Sequence, residues 1–327
     1  MTGTDTAVWV SGASSQLGVF LLPRLREAGF RVLALSRKAP AAPVKVADGV
    51  RWAIPDEAAL PALVAAAAAA VAGGGPDYLV SCGPLPLARH IVESAPGLRR
   101  VVAFSSSSVL SKADSADAAE RADMAAMARD EAALAAACAA RGLPLLLLRP
   151  TLIYGCGLDR NVSLLAVIAG RFGAIPLAGK AAGLRQPVHA DDLAALAVQA
   201  LTAPAPLTLD SPACGGSTLT YREMARLIAA ATPGRERGRE RNRPRGRARL
   251  LTLPDWLLAG AVTALARFPR WRHLNAEMAH RQNRDLVFDD TPLRNILDWS
   301  PRPFEPTPAD FEIPAHAQAL QLRDPPS

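Results

Sequence analysis

The chain has 327 residues, half of them hydrophobic, and a formal net charge of +7. This length suits one large two-lobed domain or a domain with an appendage, and excludes a small stapled scaffold. No apolar run approaches the roughly 18 residues needed to cross a bilayer, no signal-peptide layout opens the sequence, and Cys82, Cys138, Cys156 and Cys214 lack paired spacing, so a cytoplasmic protein with reduced thiols and no metal site is expected.

Residues 7–12, AVWVSG, form a short apolar run ending in glycine, and apolar residues at helical spacing follow (Leu17, Phe20, Leu21, Leu25, Ala28) until Gly29. The pattern predicts strand, tight turn and helix, with a bend at Pro23. RVLALS (31–36) is the next strand. An alanine-rich helix over 57–72, strands at 78–82 and 100–106, a helix over 116–141 and a strand at 143–149 continue the alternation. Apolar strands alternating with helices predict a doubly wound parallel sheet covered on both faces. Helices are expected at 162–172, 191–202 and 221–231, the last with Thr220 and Glu223 at capping-box spacing. Residues 235–249 hold eight arginines against two glutamates, a net +6 that leaves the remainder near neutral. Without interleaved aromatics this tract reads as a solvated loop rather than a nucleic-acid site. The apolar segment 255–268 is too short to span a membrane; we read it as a helix packed on a smaller lobe in preference to one resting on a membrane surface. From Pro301 the chain is proline-rich and irregular.

SGASSQLG (11–18) places Gly12 and Gly18 six apart at the first strand-to-helix turn, with Ser15 where a middle glycine usually stands. The serine hydroxyl can cap the helix and donate to a phosphate at the helix N-terminus. The second strand ends in Ser36, Arg37 and Lys38, where a carboxylate would hold a ribose 2′-hydroxyl. Two cations and a hydroxyl suit a 2′-phosphate, so NADP(H) is expected over NAD(H).

VSGASSQLG, ALSRK, VVAFSSSSV, LLRPTLIYG, RQPVHADDLAALAVQAL, STLTYREMARLI and DDTPLRNILDWSPRPF occur in an order that resembles the extended short-chain dehydrogenase/reductase superfamily. The likeness covers about 7–304 and is strongest to its NAD(P)-dependent epimerase/dehydratase branch, which acts on nucleotide sugars. It implies a Rossmann lobe over 1–155 and a smaller α+β substrate lobe over 156–304, with some chain returning to the first lobe. The arginine-rich loop 235–249 and a tail over 305–327 complete the layout. By this resemblance Gly12, Ser14, Ser15, Gln16, Leu17 and Gly18 face the pyrophosphate, Asp56 lies by the adenine, and Ser81, Cys82 and Gly83 lie by the ribose. Either Ser106 or Ser107 hydrogen-bonds the substrate oxygen, and Tyr154 falls near the nicotinamide. Asn161 is placed near the substrate nucleotide and Arg185 at its diphosphate, with Arg281 or Arg284 as a second phosphate contact.

The superfamily's proton transfer uses a tyrosine with a lysine four residues on. Counting back from Arg149, these should fall near Asp123 or Met124 and near Met127 or Ala128, yet the stretch reads ADMAAMARDEAAL. Methionine and alanine exchange no proton. Tyr154, Cys156 and Lys112 are the alternatives, each with a plainer reading as a packed, inert or solvated side chain; His189 is structural in the family, with Asp191 and Asp192 as caps of the next helix. The expectation is an NADP(H)-dependent oxidoreductase or epimerase of a nucleotide sugar or related metabolite with a substituted acid/base, ahead of a catalytically silent NADP-binding sensor or scaffold.

Overall fold

The computed structural model describes residues 6–36, 50–53, 75–232, 248–267 and 276–318. Arg37, Lys38, Asp56, the helix expected at 57–72, arginines 235–247 and the tail beyond 318 lie outside the described residues.

Strand β1 (Ala7–Ser11) leads through a tight turn into α1 (Gln16–Glu27), and β2 (Arg31–Leu35) and β3 (Val50–Ala53) follow. Pro23 lies within α1, which continues past it to Glu27. Next come β4 (Tyr78–Ser81), α2 (Leu85–Ser94), β5 (Arg100–Phe104), a helical turn at Ser108–Ser111, α3 (Ala118–Ala140) and β6 (Leu145–Pro150). The remaining elements are β7 (Ile153–Tyr154), α4 (Val162–Phe172), β8 (Ala174–Ala178), β9 (Leu184–Arg185), β10 (Val188–His189), α5 (Ala190–Thr202), β11 (Leu209–Ala213), β12 (Leu219–Thr220), α6 (Tyr221–Ala231), β13 (Arg249–Leu253) and α7 (Asp255–Leu265). Helical turns at Glu277–His280 and Thr291–Ile296 follow.

Seven strands form one sheet in the order β11-β6-β5-β4-β1-β2-β3, paired in parallel throughout. Side-chain alternation along β1 shows why both faces are covered. Val8 and Val10 join a core with α1 and α5, whereas Trp9 joins Leu79, α2 and the C-terminal half of α3 on the other face. Helix α3 starts on Asp117, whose carboxylate accepts the backbone N–H groups of Ala119 and Glu120, a cap worth about 1 kcal/mol.

Strand β11 is an element the sequence reading passed over. LDSPA is short and carries a proline, which an edge strand tolerates, and it brings the chain back to the central sheet beside β6. A third core gathers Tyr154, α4, β8, α6 and Phe304 into the smaller lobe. Thr220 and Glu223 form the expected capping box of α6. The cap of α5 is His189, whose Nδ1 accepts the Asp191 N–H; Asp191 and Asp192, expected as caps, lie in the first turn and pair with Arg24 and Arg302.

Candidate functional site

The strand order reverses between β1 and β4, so their C-terminal ends open a crevice, the usual ligand position in such sheets. Gly12 follows β1 at φ +68°, and a Cβ there would lie 2.5 Å from the Cys82 carbonyl carbon. At Gly18 a Cβ would meet the Ala13 carbonyl oxygen at 2.0 Å, so α1 rests directly on the turn. Ser15 caps α1, its Oγ accepting the Gly18 N–H at 3.3 Å, and the first turn holds no acidic residue. Ser14 and Ser36 share a 2.7 Å hydroxyl hydrogen bond. The buried Gln16 Oε1 has no hydrogen-bond partner among the described residues. A glycine cradle and a helix N-terminus free of carboxylates fit a dinucleotide pyrophosphate.

Two residues expected at this ligand serve packing instead. The Leu17 side chain is in the core. Ser81 is fully buried and its Oγ accepts a 3.0 Å hydrogen bond from Ser11, so its hydroxyl joins β4 to β1 rather than reaching a ribose. The Cys82 thiol, pushed up to about 12 by burial, is inert.

A cavity of about 710 Å³ runs from Gln16 past Ser106, Ser107 and Lys112 to Asn161 and Arg185 in the smaller lobe. Both candidate serines therefore reach it; Ser106 Oγ accepts the Ser108 N–H, and Ser107 is 9 % exposed. Tyr154 does not line it. It is 2 % exposed, packed edge-on against His189 and Phe304, and burial pushes its hydroxyl well above the ordinary tyrosine range. Cys156 is likewise buried, its thiol raised to about 12 by the same cause. Asp123 and Ala128 are exposed on α3, Met124 and Met127 half-buried, and none of the four lines the cavity.

Lys112, just after the serine turn, does line it, and its Nζ is 2.8 Å from Glu120 Oε1. Glu120 also accepts from Ser115 Oγ at 2.6 Å and pairs with Arg281 Nη1 at 2.7 Å. Burial opposes ionisation of Glu120, but the hydrogen bonds from Lys112 and Ser115 and the charge of Arg281 hold its carboxyl at about 2. Arg281 reaches the cavity while bound to this carboxylate; Arg284 faces the exposed Asp114 at 3.2 Å and is not among the lining residues. Asn161 lines the cavity, its backbone N–H held by the buried Asp159.

Arg185 is 5 % exposed and also lines the cavity. Its Nη1 donates to the Leu184 and Arg284 carbonyls at 2.7 and 2.8 Å, its Nη2 to the Arg281 carbonyl, and its guanidinium lies 5.3 Å from the Tyr221 ring centre. Burial lowers its affinity for a proton to about 10. Among the described residues no carboxylate forms an ion pair with it, so a cation with only carbonyl acceptors sits at the cavity wall.

A family model described as the NAD dependent epimerase/dehydratase family matches residues 8–208, well over half of the chain. The chain belongs to the NAD-dependent epimerase/dehydratase family. Its fold agrees with solved structures. UDP-N-acetylglucosamine 4-epimerase from Bacillus cereus is 14 % identical, with 94 % of this chain and 95 % of that chain covered at a TM-score of 0.63. UDP-glucose 4-epimerase from Thermus thermophilus, solved in complex with NAD, is 19 % identical over 78 % and 93 %, with a TM-score of 0.56. UDP-glucose 4-epimerase from Thermotoga maritima, solved with UDP-glucose, is 13 % identical over 97 % and 99 %, with a TM-score of 0.63. No curated protein sequence matches the chain significantly. In this family member the positions expected to hold the tyrosine and lysine are filled by groups that do not line this cavity, whereas Lys112, just before the loop that leads to α3, does. Glu120, which joins Lys112 to Arg281, was not singled out in the sequence; a partner 161 residues away leaves no local signal.

Proposed function

We propose that the chain is an NADP(H)-dependent enzyme acting on a nucleotide sugar, with its acid/base role transferred to Lys112. The observation that carries the substrate class is Arg185, a buried guanidinium lining the cavity with no carboxylate ion-paired to it among the described residues. An anionic diphosphate supplies the compensating charge, and Lys112 and Arg281 add to the positive potential on the same wall. Gly12, Ser14, Ser15, Gln16 and Gly18 would hold the cofactor pyrophosphate, with the Gly83 and Cys82 backbone beside them. NADP(H) rather than NAD(H) is inferred from Arg37 and Lys38, which follow Ser36 in sequence. The nicotinamide cofactor supplies hydride transfer when bound.

This chain's residues bind, orient and handle protons. Ser106 and Ser107 present hydroxyls at the C-terminal end of β5, where they hydrogen-bond a substrate oxygen. Lys112 Nζ gives or takes a proton there, and Glu120 fixes the ammonium in place. Asn161 and Arg185 hold the nucleotide end of the substrate.

NADP(H) turnover with UDP-sugars, compared between the native chain and Lys112→Met, tests this reading. Loss of a general acid/base costs about 10²- to 10⁴-fold. A fall of at least about 10²-fold in kcat with unchanged NADPH affinity is expected; an undiminished rate removes Lys112 from the reaction. The empty tyrosine and lysine positions favour a second reading, a non-catalytic NADP-binding sensor or scaffold. It predicts cofactor binding with no turnover of any UDP-sugar.

A further inference from the structure

Helix α7 reads DWLLAGAVTAL, and of its described side chains only Leu258 is buried. Trp256 is 74 % exposed and Leu257 42 %, while Leu251, on the strand that leads into the helix, is 51 % exposed. A helix this apolar normally packs into a core, and large apolar side chains left in water together mark an interaction surface. At about 1.5 Å per residue the helix is far shorter than a bilayer's roughly 30 Å core, so it can lie in an interface but not cross one.

Charge indicates what it meets. Strand β13 opens with the exposed Arg249, the last of the eight arginines in 235–249. After α7 comes the exposed Arg267, and the sequence continues with Arg270 and Arg272. Exposed apolar side chains, a tryptophan among them, with arginines flanking the helix on both sides combine apolar contact with attraction to anionic headgroups. Arginines near an anionic leaflet each add about 1 kcal/mol of attraction. Two copies of the patch would bring like charges together, which disfavours self-association. We propose that the β13–α7 edge docks on the surface of an anionic phospholipid bilayer. Leu258 and Val262 of the same helix line the cavity, so docking sets one cavity wall against the lipid surface.

The test is co-sedimentation of the full chain with vesicles of phosphatidylcholine alone and of an equal mixture with phosphatidylglycerol, at low and high salt. The comparison is Trp256→Glu/Leu257→Glu, two exposed positions outside the cavity lining whose replacement leaves the core intact. Binding to the mixed vesicles, weak on phosphatidylcholine, reduced by high salt and weakened at least about tenfold in the double variant, is expected. Absence of binding to the mixed vesicles overturns the proposal. So does vesicle binding that the double variant retains, which assigns it to the arginines alone, or a concentration-dependent dimer abolished by the double variant, which assigns the patch to a second copy.

Discussion

Arg185 and Lys112 handle positive charge in opposite ways. Arg185 is locked by three carbonyls and keeps its charge for a ligand, whereas Lys112 is held by a carboxylate that also holds Arg281. The proposed preference for NADP(H) also rests on single residues. Arg37→Asp should weaken NADPH binding by at least about tenfold while changing NADH binding little, because a carboxylate repels the 2′-phosphate and accepts from a 2′-hydroxyl. Parallel fluorescence titrations with both nucleotides check this, and equal losses would detach Arg37 from the cofactor. The glycines and serines of 12–18 were legible because turn chemistry is local. For Tyr154 the sequence left two readings open, near the nicotinamide or packed over the loop, because the neighbours that pack it, His189 and Phe304, lie far along the chain.

At the scale of elements, the proposed cofactor site rests on the turn from β1 into α1. Gly12→Ala places a methyl 2.5 Å from the Cys82 backbone at φ +68°, so β1 and β4 must separate at their C-terminal ends. The strain is of order 1–3 kcal/mol, and NADPH binding should fall with thermal stability; a variant with native Tm and native affinity would contradict this account of the turn. Period and capping made most elements readable: the helices expected at 162–172 and 221–231 match α4 and α6. Strand β11 was missed because LDSPA lacks an apolar alternation, and its place beside β6 is decided by tertiary pairing.

Across the whole molecule, contacts made by carboxylates join distant parts of the chain. Arg24 and Arg302 converge on Asp191, Asp310 meets His189, and Lys112 and Arg281 converge on Glu120. Burial raises the pKa of each carboxyl, yet their partners outweigh it and hold all three below ordinary values, Glu120 at about 2. Depressed folded-state values stabilise the fold above the unfolded carboxylate pKa, near about 4, and that stability is lost as pH falls toward about 2. Thermal melts should therefore show Tm dropping steeply below about pH 4; a Tm constant down to about pH 2.5 would contradict these networks.

The most direct test of the NADP(H)-dependent nucleotide-sugar reading is calorimetric titration of the full chain with NADPH, then of the NADPH-loaded chain with UDP-glucose and UDP-glucuronic acid. Saturable NADPH binding, followed by UDP-sugar binding that is weaker or absent without the cofactor, is the predicted result. Saturable NADPH binding with no response to either UDP-sugar would contradict the substrate class inferred from Arg185, and no NADPH binding would contradict the reading of the Gly12–Gly18 turn.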